Sequence, residues 1–414
     1  MNKRKIFNDP VYGFVTIPYP IVFDLIEHPY FQRLRRIKQV SLTHYVYPGA
    51  LHTRFHHALG ALHLMGQAID VLRSKGTTIT EEEARGAAIA ILLHDIGHGP
   101  FSHTLEHTLI NVHHEALSLL FMEALNVTFD GALSLAIQIF KDEYPKKFLH
   151  QLVSGQLDMD RMDYLNRDSF FTGVHEGVIG YDRIIKMLAV HNDELVVEEK
   201  GIYSIEKFLI ARRLMYWQVY LHKTVLGVEQ MLIQAWRRAK ALAGQSVELG
   251  VSGGLRYFLY NSPTGDDFGK NRKELIGQFA KMDDYDIMYA LKTFMQHPDF
   301  VLSFLAGSII DRRLFKIELQ NEPFDPAYIQ KIRRAAMEVF DVSEDLVGHL
   351  VFHGSESNRA YNTARDEIKI LFKNGEVRPM SQSLDYGIQS EEIRKYYLCY
   401  PKQLNKPTQA FNVG

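Results

Sequence analysis

The stretch Ile91-Leu-Leu-His-Asp-Ile-Gly-His-Gly-Pro-Phe-Ser-His103 decides how this chain is read. An apolar helix runs up to an adjacent His94–Asp95 pair, a Gly-His-Gly-Pro break follows, and a further histidine closes the segment. Imidazole and carboxylate are common ligands for a divalent ion that activates water. Adjacent helical residues point about 100° apart, so both side chains reach one ion only from one side of the turn. Gly97 and Gly99 allow close backbone approach to a ligand, and Pro100 stops the helix. Taken alone, such a dyad is more often a buried hydrogen-bonded pair at a helix end, so the rest of the chain has to supply further ligands.

Ten of the 19 histidines fall between His52 and His114, a clustering that packing alone does not explain and that points to metal or phosphate chemistry. Elsewhere the 414-residue composition is that of an ordinary globular protein, 46% hydrophobic and 23% charged. The net charge of −2 argues against a protein that coats nucleic acid. Cys399 is the single cysteine, so no disulfide framework forms within the chain, which suits a reducing cytoplasm. Nothing at the N-terminus reads as a signal peptide and no run of 18 apolar residues suggests a membrane span.

Working outward, residues 6–18 read as a short extended or hairpin segment, followed by helices over 20–27 and 29–38. The second carries Arg33, Arg35, Arg36 and Lys38, either a solvated basic face or an anion-binding one. Apolar spacing near 3.6 predicts a helix over 54–74, with His56 and His57 at its start. Thr80 to Glu83 is a capping box opening the helix that ends at His94–Asp95. Shorter helices are expected over 113–125, 132–140 and 146–153. Between Asp158 and Asp168, four aspartates are interleaved with Met159, Met162 and Leu165. That helix is half buried, and carboxylates near a core need cations. A hairpin over 194–205 with its turn at Lys200-Gly201 is expected, then one long helix over 205–242. Further helices follow over 248–310. Past 320, alternation and Asn374-Gly375 point to mixed α and β with a loose tail. The fold class is therefore mainly α: a helical core over 1–245 and a helical, then α+β, region over 246–414.

The ordered set Arg54-x-x-His57, His94-Asp95 and Asp160 resembles the HD-domain metal phosphohydrolases. The surrounding wording, Thr53-Arg-Phe-His-His-Ala-Leu-Gly60, Leu93 to His103, His114-Glu115 and Asp158-Met-Asp-Arg-Met-Asp-Tyr164, looks like the deoxynucleotide triphosphohydrolase branch, with bacterial dGTPases and the vertebrate SAM-and-HD-domain dNTPase. No SAM domain is read ahead of it. The resemblance is strong over 6–230 and thin beyond.

The resemblance implies an HD-domain helical core and one divalent ion (Fe, Mn, Mg, Zn or Ni) on His57, His94, Asp95 and Asp160. It makes His114 with Glu115 a catalytic pair, the carboxylate orienting the imidazole, and His103 the acid for the leaving oxygen. Glu106 stands where the family has Asp, as a supporting carboxylate. Arg54, His98, Arg161, Tyr164 and Arg212 match triphosphate contacts. Gln39, Tyr164 and Asp168 would surround a 3′-hydroxyl, with Val40 and Tyr220 against the 2′ position. Asn8, Gln32 and Arg35 match parts of a nucleotide-activator site, Glu27 stands where that family has Asp, and Lys5 and Lys223 would add phosphate contacts; the alternative is that these residues buttress the N-terminal fold. The implied partners are a deoxynucleoside triphosphate, a nucleotide activator and further copies of the chain in a dimer or tetramer, with no membrane and no nucleic acid. Two competing readings stay open: a phosphohydrolase acting on a nucleoside monophosphate or signalling nucleotide, and a nucleotide-gated nucleic-acid-binding module. The near-neutral charge counts against the last, which needs many phosphate contacts.

Overall fold

The structure is a computed structural model and describes residues 5–358, 361, 367–383 and 392–405. The tail beyond 405, which the sequence leaves loose, lies outside the described residues. A two-stranded hairpin, β1 (Ile6–Asp9) and β2 (Gly13–Thr16), opens the chain. Then come α1 (Pro20–Glu27), α2 (Pro29–Gln32), α3 (Arg54–Ser74), α4 (Glu81–Leu93), α5 (His103–Leu109), α6 (His114–Thr128), α7 (Ser134–Phe140), α8 (Lys147–Val153), α9 (Met159–Thr172) and α10 (Tyr181–Met187). The short hairpin β3 (Leu188–His191) and β4 (Glu194–Glu198) precedes α11 (Ile202–Met215) and α12 (Lys223–Gly244). Helices α13 (Gly253–Asn261), α14 (Gly265–Lys270), α15 (Arg272–Phe279), α16 (Asp284–Phe294) and α17 (Phe300–Ile310) follow. The remainder is mixed: β5 (Lys316–Gln320), α18 (Pro326–Phe340), α19 (Glu344–Val347), β6 (Phe352–Asn358), β7 (Lys369–Leu371), β8 (Val377–Pro379) and β9 (Ile393–Tyr400). The fold is mainly α, as the sequence implies. Strands β5-β9-β6 form one antiparallel sheet, and β7 runs parallel to β4, tying the end of the chain back to the hairpin before α11. Among the described residues no helix is long and apolar enough to cross a membrane.

Two local expectations fail. The hairpin turn falls at Asn192-Asp193, not at Lys200-Gly201, and both residues have left-handed backbone (φ 52° and 59°). Asn and Asp tolerate that region, and two consecutive positive φ values match the twist of a tight hairpin. The long helix over 205–242 is interrupted: a π-helical turn spans Tyr216–Tyr220. The His222 imidazole then accepts the Thr224 N–H at 3.2 Å and starts α12 afresh. Periodicity is blind to such an insertion, because the apolar spacing continues across it. The predicted box at Thr80 forms in both directions, Glu83 N–H to Thr80 Oγ1 at 3.1 Å and Thr80 N–H to Glu83 Oε2 at 2.8 Å.

The predicted basic run is not one uniform face: Arg35 and Arg36 are exposed, whereas Arg33 and Lys38 turn inward. Arg33 is fully buried, donates to the Ile96 carbonyl at 2.7 Å and lies over the rings of Phe121 and Phe279. Arg36 pairs with Asp283, and Lys38 lies 3.5 Å from Asp284. The run thereby fastens the N-terminal segment to the start of α16.

Candidate metal and phosphate site

Helices α3 and α9 pack closely because Gly60 faces α9: a Cβ there would lie 1.9 Å from Asp163 Oδ1. This contact lets Asp163 accept a hydrogen bond from His57 Nδ1 at 2.7 Å, while Arg167 braces the carboxylate from the other side at 3.0 Å. At the end of α4, His94 Nδ1 donates to the Ile91 carbonyl at 2.6 Å. Both rings thus commit Nδ1 and turn Nε2 to one point. The two Nε2 atoms are 3.4 Å apart, and Asp160 Oδ1 lies 3.1 Å from His57 Nε2 and 3.5 Å from His94 Nε2. Asp95 adds its carboxylate at 3.5 Å from His94 Nε2 and 3.7 Å from His57 Nε2.

This donor set fits a divalent ion. Its imidazoles are oriented by a carboxylate and a backbone carbonyl, the usual support of metal-bound histidine. Burial opposes positive charge on His57, yet the Asp160 and Asp163 carboxylates outweigh it and push the ring up to about 10. His94 is raised against its burial in the same way, by Asp95 and Asp160. The field at this point favours a cation. Asp163 was read from sequence only as one of a carboxylate cluster. Its i, i+3 relation to Asp160 and i, i+4 relation to Arg167 was the signal that it supports a ligand.

Beyond the donors the Gly97-to-Ser102 turn presents the second layer. Gly97 abuts α6, where a Cβ would lie 2.3 Å from both the His114 carbonyl oxygen and the Ser118 nitrogen. Phe101 and Ser102 both have left-handed backbone (φ 52° and 50°). Such strain persists where the surroundings fix it. Here Asp284 accepts the Phe101 N–H at 2.8 Å through one oxygen and the Lys38 N–H at 2.9 Å through the other. Ser102 Oγ then accepts from Arg54 Nε at 2.8 Å, and Arg54 pairs with Asp95. His98 stacks on His114 with centroids 3.9 Å apart, and His103 packs edge-on against both. Burial and the adjacent Arg54 guanidinium hold His98 well below the usual imidazole range.

The expected His114–Glu115 contact is not what forms. Glu106 Oε1 accepts both the backbone N–H and the Nδ1–H of His114, each at 2.7 Å, and its Oε2 lies 3.1 Å from His103 Nδ1. The Glu115 side chain is 66% exposed and lies 3.8 Å from His113. Glu115 is the second residue of α6 and projects away from the imidazole of its neighbour, whereas Glu106 rises from α5 directly beneath it. Hydrogen bonds from His103 and His114 hold Glu106 far below the ordinary carboxylate range in spite of its burial.

A cleft of about 610 Å³ opens beside these groups. Of the predicted residues, Gln39, Val40, Arg54, Asp95, His98, His103, His114, Asp160, Tyr164, Asp168 and Tyr220 line it. Asp168 is gripped from two sides, by His52 Nε2 at 2.6 Å and by the Tyr220 hydroxyl at 2.6 Å. Arg161 and Arg212 are not among the lining residues. Arg161 pairs with Asp158 at the start of α9, and Arg212 donates to Gln156 at 3.3 Å. They flank Tyr164, whose hydroxyl burial pushes up to about 12 while both guanidiniums oppose it. Ser102, His107 and Glu229 also line the cleft and were not singled out from sequence. Glu229 carries no motif, and only its place on the cleft-facing stripe of α12 betrays it.

The activator candidates divide into two groups. Arg35 Nε donates to Gln32 Oε1 at 2.8 Å and its guanidinium covers the Phe55 ring, with Glu27 acting on it electrostatically. Lys5 sits 4.8 Å from the Phe23 ring centroid, and Asn8 pairs with Phe14 across the first hairpin. Lys223 lies elsewhere, in a pocket of about 360 Å³ with Arg312, Lys316 and Lys402.

Buried His–Asp donors on a helical core, with a histidine-lined cleft beside them, define a metal-dependent phosphohydrolase site. The HD domain model matches residues 54–167, and that of the HD associated region matches 179–248. A crystal structure of a phosphohydrolase from Bacteroides thetaiotaomicron is 52% identical, with a TM-score of 0.93 over 96% of this chain and 100% of that one. An uncharacterised Bacillus subtilis protein is 29% identical over 98% of this chain and 94% of its own length. A deoxynucleoside triphosphate triphosphohydrolase SAMHD1 homolog of Dictyostelium discoideum is 32% identical over 57% of this chain, and the match spans 50% of that protein. The chain belongs to the HD-domain family of phosphohydrolases.

Proposed function

We propose that the chain hydrolyses deoxynucleoside triphosphates to deoxynucleoside and inorganic triphosphate. The observation that carries this reading is the convergence of the His57, His94 and Asp160 donor atoms beside a cleft that also holds Arg54 and three packed histidines. In it, His57, His94, Asp95 and Asp160 hold one divalent ion, which when bound polarises a phosphoryl oxygen and a water. Arg54 offsets charge on the triphosphate and the uncharged His98 offers it a hydrogen bond, with Arg161 and Arg212 acting through the wall formed by Tyr164. Gln39, Val40, Asp168 and Tyr220 receive the deoxyribose. His114, oriented at Nδ1 by Glu106, takes the proton of the attacking water at Nε2, and His103 supplies one to the departing 5′ oxygen. Glu115 keeps a supporting place beside His113. Activation by a nucleotide at the N-terminal and Lys223 groups, and assembly into a homo-oligomer, belong to the same reading.

Purified protein with Mn2+ is expected to release tripolyphosphate from dNTPs, assayed singly and in mixtures with product resolution. Release of pyrophosphate or single phosphate would sink the reaction assignment. Asp160→Ala is expected to lower kcat/KM by at least about 10³-fold through loss of a ligand.

A further inference from the structure

One support of the metal donors begins far from the cleft, in the first hairpin. The turn after β1 closes on Asp9, whose Oδ1 accepts the N–H groups of Val11 at 2.9 Å and Tyr12 at 3.0 Å. The backbone of the turn thereby fixes the carboxylate on one side, as it does for aspartate in short turns. On the other side Asp9 Oδ2 accepts from Arg167 Nη1 at 2.8 Å. Arg167 presents Nε and Nη2 to Asp163, each at 3.0 Å, and Asp163 Oδ2 accepts from His57 Nδ1 at 2.7 Å. Asp9, Arg167, Asp163 and His57 are all buried. The Tyr12 ring lies 5.4 Å from the guanidinium carbon and edge-on to Tyr181.

Charge and geometry both run along this line of contacts. Two carboxylates share one guanidinium, so net negative charge remains on the trio. In a buried setting that charge acts strongly on the next group, the His57 ring. A carboxylate that accepts the outer N–H of an imidazole raises its basicity as a metal ligand. Without Asp9 the guanidinium is left to Asp163 alone and neutralises it, and the pull on His57 Nδ1–H weakens. The guanidinium is also planar and rigid, with its fork on Asp163 and its remaining side on Asp9, so the hairpin sets the tilt at which Asp163 is held.

We propose that Asp9 is a positioning residue of the metal centre: through Arg167 and Asp163 it orients and strengthens His57 as a ligand, and the N-terminal hairpin thereby sets the affinity for a divalent cation. The proposal rests on the metal reading of the site and not on the substrate. It is tested by titrating Mn2+ into the full chain, followed by electron paramagnetic resonance, in wild type, Asp9→Asn, Asp9→Ser and Gly13→Ala. Melting of the metal-free proteins reports folding. Asparagine and serine keep an oxygen for the turn N–H groups and remove the charge. Gly13 sits in the same turn at φ 76° with nothing within 4 Å of an added Cβ, so alanine strains the hairpin without touching Arg167. Asp9→Asn and Asp9→Ser are each expected to raise the Kd for Mn2+ at least about threefold, less than the roughly 10–100-fold of a group bonded directly to a metal-bound histidine. Gly13→Ala is expected to lower the melting temperature and leave the Kd in place. A rise below threefold in either folded Asp9 variant, or an equal rise in Gly13→Ala, overturns the proposal. Failure of wild type to bind Mn2+ would reject the metal reading itself, whereas wild-type binding unmoved by the Asp9 variants would reject only the role of Asp9.

Discussion

At the scale of single residues, the division of labour among carboxylates decides the chemistry. Glu106 hydrogen-bonds the His103 and His114 imidazoles and lies 3.9 Å from His113, whereas among the described residues Glu115 pairs with His113 alone, at 3.8 Å. Glu106→Gln is therefore expected to lower kcat by about 10²–10⁴-fold, the range of general acid–base effects. Glu115→Gln is expected to cost clearly less, and steady-state kinetics showing the opposite order would reject the assignment of Glu106 as the orienting group. The donors His57, His94, Asp95 and Asp160 were legible as types at motif spacing, and the structure brings them together. Glu106 was legible only as a supporting carboxylate, because its role depends on α5 and α6 meeting across the 110–113 turn. Glu229 was not legible, since nothing local distinguishes it from any acidic residue on a helix.

At the scale of elements, local signals served well where one motif closes on itself. The Thr80–Glu83 box is such a case, and Glu83 also accepts from Tyr144 at 2.7 Å and Lys146 at 2.9 Å. These bonds, with the cap at Thr80, hold Glu83 below its usual value of 4.5 although burial opposes them. A depressed folded value means that the stabilisation is present above the unfolded value and is lost as pH falls through the folded one. Glu83→Gln is expected to lower stability by about 1–2 kcal/mol at pH 7, judged from cap and charged hydrogen-bond losses. In thermal melts the gap to wild type should narrow below pH 4.5, and a pH-independent gap would contradict the ion-pair account. The α3–α9 contact is the opposite case, legible only once both helices are placed. Gly60→Ala forces a methyl into Asp163 and Arg167 and is expected to cost about 1–3 kcal/mol by overpacking. Metal affinity should fall with it, because Asp163 sets the His57 ring. A variant with unchanged melting and titration would show that the helices separate freely.

At the scale of the molecule, donors from α3, α4 and α9 converge, so a bound ion links three helices that fold far apart in sequence. Ligand binding to the native state alone adds about 2.7 kcal/mol at a hundredfold excess over Kd. Chelation is expected to lower Tm in scanning calorimetry and readdition of Mn2+ to restore it, and an identical Tm would argue that no ion resides there. The division at residue 245 falls at the end of α12 and stands as a proposal about chain organisation. One apolar core cluster takes described residues from both sides of that division, from Ile17 to Tyr400. Asp284 belongs to the region beyond 245, yet its two oxygens clasp Lys38 and Phe101, and the strained Ser102 next to Phe101 steers Arg54. A recombinant fragment ending at 245 would keep the whole HD-domain match over 54–167 and lose the clasp. Arg54 would keep Asp95 but lose the fixed turn that sets Ser102 against it, and such a truncation would misreport a positional defect as a missing activity.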